Sequence, residues 1–99
     1  MLKHSLFVRL EARPGKEQEV ASFLMKGLEL ANQESRTPVW FALQIGPSTF
    51  GVFDSFEKEE DRQAHLNGPI AKALMENAPA LFATAPVIER LEVLGAKVS

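Results

Sequence analysis

The chain has 99 residues, 45% hydrophobic and 24% charged, which suits one domain over residues 1–99 and leaves no room for a second core. A net charge of −2 gives no basic footprint for nucleic acid or anionic membrane, and the lack of cysteine excludes disulfides, thiolate metal sites and a cysteine nucleophile. No apolar run approaches the roughly 20 residues that cross a bilayer, and the N-terminus lacks a signal-peptide core, so a cytoplasmic location is expected.

From Lys3 to Arg13 the apolar residues alternate, with His4, Leu6, Val8 and Leu10 on one face and Ser5, Phe7 and Arg9 on the other. That period of two predicts a half-buried strand, broken by Pro14-Gly15. Val20, Phe23, Leu24, Gly27, Leu28 and Ala31 then fall at helical spacing, predicting an amphipathic helix from Lys16 to Gln33. Strands follow over Val39 to Ile45 and Thr49 to Phe56, joined as a hairpin through Gly46-Pro47-Ser48. Ser55 is placed to cap the next helix, whose early Glu57, Glu59, Glu60 and Asp61 suit the helix dipole. Asn67-Gly68-Pro69 interrupts that helix after Leu66, and it resumes from Ile70 until Pro79 ends it. A last strand runs from Val87 to Leu94.

Strand, helix, strand, strand, helix, strand is the ferredoxin-like βαββαβ order of an α+β protein. Right-handed crossovers place both helices on one face of a four-stranded antiparallel sheet. The other face is then left uncovered, with Phe7, Trp40 and Phe53 expected on it. Such a patch exceeds what soluble monomers usually expose, so a homodimer joined through the sheet face is expected. Trp40 has the opposite parity to Phe41 and is expected at that interface.

The run Val8-Arg9-Leu10-Glu11-Ala12-Arg13-Pro14-Gly15-Lys16-Glu17 resembles the strand-to-helix entry of antibiotic-biosynthesis-monooxygenase-like (ABM) domains. Phe53-Asp54-Ser55-Phe56-Glu57, followed by Ala64-His65-Leu66-Asn67-Gly68-Pro69-Ile70, is similar to that family's second signature. The resemblance covers Leu6 to Lys97. It implies a dimeric α+β barrel with an apolar cavity between sheet and helices in each subunit. It also implies cofactor-independent oxidation of a quinol, polyphenol or anthrone by molecular oxygen, although other members degrade haem. Two family patterns are missing. Val8 stands where the haem-degrading branch has asparagine, and the chain has no tyrosine for the phenolic hydroxyl of the anthrone-oxidising branch.

Oxidation without metal or flavin needs a general base and a dry pocket. His65 is the candidate base, four residues after Asp61, which is expected to orient the imidazole. The competing reading is a helix histidine simply satisfied by Asp61 or a carbonyl. Asn67, at the helix break, is a candidate for binding a polar substrate atom, as is His4 at one cavity mouth. Phe41 and Phe56 are candidate aromatic walls, although core packing is the commoner fate of such rings. No sequence pattern for a metal, a phosphate or a serine nucleophile is present, so no cofactor and no metal are expected. The alternatives to catalysis by oxygen are a non-catalytic module binding a small aromatic ligand, and an isomerase or lyase.

Overall fold

The computed structural model describes residues 1–98. Its order is β1 (His4–Glu11), α1 (Glu17–Ala31), β2 (Val39–Gln44), β3 (Thr49–Phe56), α2 (Glu59–Leu66), α3 (Pro69–Leu81) and β4 (Val87–Glu92). The four strands form one antiparallel sheet in the order β2-β3-β1-β4, the ferredoxin-like α+β arrangement. No helix among the described residues is long and apolar enough to cross a membrane.

The two sequence periods set which side chains meet. Leu6, Val8 and Leu10 of β1 join Phe50, Val52 and Phe56 of β3 beneath the helices, and all are buried. Helix α1 buries Val20, Leu24, Gly27 and Ala31 in a stripe of helical spacing. Asn67-Gly68 separates α2 from α3, and Pro69 begins α3, where its missing N–H costs nothing.

Local rules are overridden at two places. Ser55 is no helix cap: it lies inside β3, fully buried, and its hydroxyl accepts from Ser5 Oγ at 2.7 Å. Lys58 stands at the N-cap instead, with no side-chain cap bond, while Glu59, Glu60 and Asp61 complement the dipole. Pro79 does not end α3, which continues to Leu81. Burial of Leu81 and Phe82 carries the last turn past the proline, whose carbonyl accepts from Arg13 Nε at 2.9 Å.

Strand register corrects the expected placement of Trp40. Trp40 lies opposite Asp54 on the helix-covered face, while Phe41 lies opposite Phe53, itself opposite Phe7. The uncovered face is therefore built on Phe7, Phe53 and Phe41, not Trp40. The rings of Phe41 and Phe53 stack with centroids 6.4 Å apart. Phe41 is 55% exposed, and Leu43, Val87 and Leu91 extend the apolar surface.

Helix α2 has only two buried residues, Arg62 and His65. The Arg62 guanidinium donates to the carbonyls of Ser5 and Leu91, each at 3.1 Å, and pairs with Glu59 one turn earlier. It thereby ties α2 to both β1 and β4.

Candidate functional site

A cavity of about 330 Å³ lies between the sheet and helices α1 and α3. Its size falls within the usual range of small-molecule sites. Leu6, Val8, Val52, Leu24, Ile70 and Leu74 make most of its wall apolar. Trp40, Asp54 and His65 add indole, carboxylate and imidazole to that wall.

Trp40 reaches this position because α1 offers it a glycine. A Cβ on Gly27 would stand 3.1 Å from Trp40 Cη2, so the indole ring lies directly against the helix backbone. The indole Nε1 is buried and has no hydrogen-bond partner among the described residues. The same holds for Oδ1 of Asp54, its neighbour across the strand pair. A buried polar group left unpaired costs about 1–3 kcal/mol, so two on one cavity wall are a substantial local expense.

The other oxygen of Asp54 is engaged. His65 sits between two carboxylates, with Nε2 3.1 Å from Asp54 Oδ2 and Nδ1 2.8 Å from Glu34 Oε1. Its ring also packs against that of Phe56, centroids 5.3 Å apart. Thr37 Oγ1 donates to Glu34 Oε1 at 2.7 Å, fixing that carboxylate in the loop after α1. Burial alone would push the His65 pKa down. Its hydrogen bonds to Asp54 and Glu34, with their negative charge, outweigh burial and hold it above the ordinary 6.5. An imidazolium donating from both nitrogens satisfies this geometry. Asp54 is pushed above the ordinary aspartate value by burial, only partly offset by His65. The three groups thus form an acid–imidazolium–acid row from the cavity wall outward, with Asp54 2% and Glu34 21% exposed. Because the two carboxylates approach opposite nitrogens of one ring, they do not converge on a point where a metal would sit.

The expected site residues separate into two groups. His65 lines the cavity, whereas Phe56 is not one of its walls: it is fully buried and packs against the His65 ring. Asp61 does not reach His65; it pairs with Arg36, because Glu34 and Asp54 already occupy both ring nitrogens. His4 keeps its expected sheet face but lies at the far end of β1, held by Glu92 at 3.1 Å and Glu59 at 3.6 Å. Phe41 stands on the opposite face of the sheet, and Asn67 is an exposed residue at the C-cap of α2. Neither lines the cavity. Sequence reasoning missed Asp54 as a functional group, although an acid among Phe50, Val52 and Phe56 on a buried strand face was a usable signal. Glu34 carried none, since a loop glutamate looks like any solvated charge.

This four-stranded fold occurs in solved structures described as "putative antibiotic biosynthesis monooxygenase". A "putative antibiotic biosynthesis monooxygenase" from Nitrosomonas europaea matches with a TM-score of 0.81 and 14% identity, over 93% of this chain and 90% of that one. One of the same description from Caulobacter crescentus matches with a TM-score of 0.80 and 18% identity, over 95% and 92%. The fold is therefore that of the ABM-like proteins. A nearer relative is the NE2512 protein of unknown function from Nitrosomonas europaea, 60% identical over 100% of this chain and 96% of that one, with a TM-score of 0.95. The chain belongs to the same family as NE2512. No protein-family model matches the sequence, and no curated protein does.

Proposed function

We propose that the protein is a cofactor-independent monooxygenase that oxidises a small electron-rich aromatic, of quinol or polyphenol type, with molecular oxygen. The observation that carries this reading is the cavity itself: an apolar slot lined by Asp54 and His65, which form a charged row with Glu34 behind them. A quinol is activated by losing a hydroxyl proton, since its anion gives electrons to oxygen far more readily. The His65 row takes that proton, and the apolar walls keep water from the anion. The ring itself supplies the electrons: quinol plus O2 gives hydroxyquinone plus water, with one oxygen atom inserted and the other reduced. The test is oxygen uptake with a panel of hydroquinones and anthrones. Oxygen consumption equimolar with product is expected, a hydroxyquinone from each hydroquinone and an anthraquinone from each anthrone, with a large rate loss in His65→Gln protein shown to be folded. Equal rates in the two proteins would remove the His65 row from the chemistry.

A second reading is favoured by the absence of tyrosine from the whole chain. Without a phenolic group, the cavity serves as a module that binds or senses the same aromatic without turning it over. That reading predicts saturable heat of binding with no oxygen consumed.

The reading includes a homodimer in a cytoplasmic setting, paired through the uncovered sheet face. A standard interface buries about 1,600 Å² in total, and the Phe7–Phe53–Phe41 ladder supplies its apolar centre. Phe41→Asp puts a charge into that centre. Sedimentation at micromolar concentration is expected to give twice the 11.0 kDa chain mass for the wild type and the single-chain mass for the variant. A wild-type monomer would rule the pairing out.

A further inference from the structure

Two buried polar atoms of cavity-lining residues remain unused by the row described above: the Trp40 indole N–H, a donor only, and Asp54 Oδ1, an acceptor when ionised. They belong to residues facing each other across β2 and β3, on the same side of the sheet. Trp40 is 9% and Asp54 2% exposed, so neither atom has ready access to bulk water. A donor and an acceptor on paired residues of neighbouring strands are complementary to one chemical group above others, a hydroxyl. A carbonyl or an ether satisfies the indole alone, an amine the carboxylate alone, and a carboxylate ligand would face Asp54 with like charge.

We propose that Trp40 Nε1 and Asp54 Oδ1 together recognise a single aromatic hydroxyl, the indole donating to its oxygen and the carboxylate accepting its proton. This rests on the reading of the cavity as a site for an aromatic ligand, and it names the group by which that ligand is chosen. When the hydroxyl proton moves to Asp54 Oδ1, the O–H bond breaks and the electron pair stays on the ligand oxygen. The resulting aryloxide is then held by two donors, the indole N–H and the newly protonated carboxyl. Asp54 is thus the acceptor that touches the ligand. His65 and Glu34 are positioning residues: with both imidazole nitrogens bonded to carboxylates, the ring holds Asp54 through Oδ2 and leaves Oδ1 without a partner among the described residues.

The test compares 1-naphthol with 1-methoxynaphthalene, which keeps the ring and oxygen but cannot donate. Calorimetry on the wild type is expected to show naphthol binding roughly tenfold tighter, the size expected when one buried acceptor loses its partner. Trp40 is the only tryptophan, so its indole N–H gives a single resolved proton resonance. That resonance is expected to move downfield with either compound, since both offer it an oxygen. In Trp40→Phe both affinities should fall, by roughly three- to tenfold. Asp54→Leu, which removes the acceptor altogether, should abolish the naphthol preference while leaving methoxynaphthalene binding in place. Equal wild-type affinities, or an indole resonance unmoved by bound naphthol, would overturn the hydroxyl pair while the aromatic cavity stands. Failure of both compounds to bind would overturn the cavity reading as well. The resonance measurement needs no variant, so poor folding of either substitution leaves the outcome decided.

Discussion

Replacing His65 by alanine is expected to cost up to about 4 kcal/mol of stability at pH 7, and much less near pH 5. Among the described residues the imidazolium is the only counter-charge within ion-pair distance of Asp54, which is 2% exposed. Breaking a buried pair by removing one member typically costs about 3–5 kcal/mol, because a bare charge is left behind. Asp54 can escape that penalty by taking a proton. From its ordinary value of 3.8, this costs about 1.4 kcal/mol per pH unit, so about 4 kcal/mol at pH 7 and under about 2 near pH 5. For a domain of this size the loss at pH 7 corresponds to roughly 15–30 °C in Tm. The wild type has its own signature. A raised histidine pKa contributes stability that is fully present below 6.5 and is lost as pH climbs through the folded-state value. The raised Asp54 pKa acts with the same sign at lower pH, its contribution present below 3.8 and lost above. Thermal unfolding followed by circular dichroism at several pH values reads both effects. A variant with wild-type Tm at pH 7, or one hurt more by acid than the wild type, would show that the row carries no such coupling.

Asp54→Asn is expected to slow oxidation of a hydroquinone by about 10²-fold or more, the usual worth of a placed general base. A phenol with pKa near 10 and a carboxylate near 4 differ by about 6 units, an uphill transfer of roughly 8 kcal/mol. Burial narrows that gap by raising Asp54, and the indole N–H narrows it further by stabilising the aryloxide. Asparagine keeps the shape and cannot take the proton, so the loss should fall on kcat with KM changed only a few-fold. The wild-type rate should also rise with pH as Asp54 ionises, through a midpoint above the ordinary 3.8, and this limb should vanish in the variant. Steady-state oxygen-electrode kinetics separate these quantities. A variant that kept the wild-type kcat, or kept the acid limb, would move the proton-accepting role to another group.

Much of the architecture was legible because two periods carry it. The alternation through Leu6, Val8 and Leu10 and the helical spacing of Val20, Leu24 and Ala31 each report a buried face directly. Asn67-Gly68-Pro69 likewise announced the break between α2 and α3. The site was legible only in its centre. His65 stood out as a rare ionisable group at a helix end, but its partners did not, because Asp54 and Glu34 reach it from elements 11 and 31 residues away in sequence. Spacing along one helix favoured Asp61, which tertiary structure hands to Arg36. The exchange of Trp40 and Phe41 has one cause: parity tells which residues share a face, whereas only pairing with β3 tells which face it is. Pro79 and Ser55 followed local preference until burial of Leu81 and pairing with Ser5 outweighed it.

The way α2 is seated bears on how well His65 can be aimed. An eight-residue helix with an oily underside could roll on the sheet, since dispersion contacts are almost indifferent to rotation. This one is fastened instead by Arg62, whose two carbonyl bonds and one ion pair have directions as well as lengths. Three residues on, the imidazole inherits that fixed bearing, so the helix behaves as a keyed shaft and the ring keeps one orientation toward Asp54.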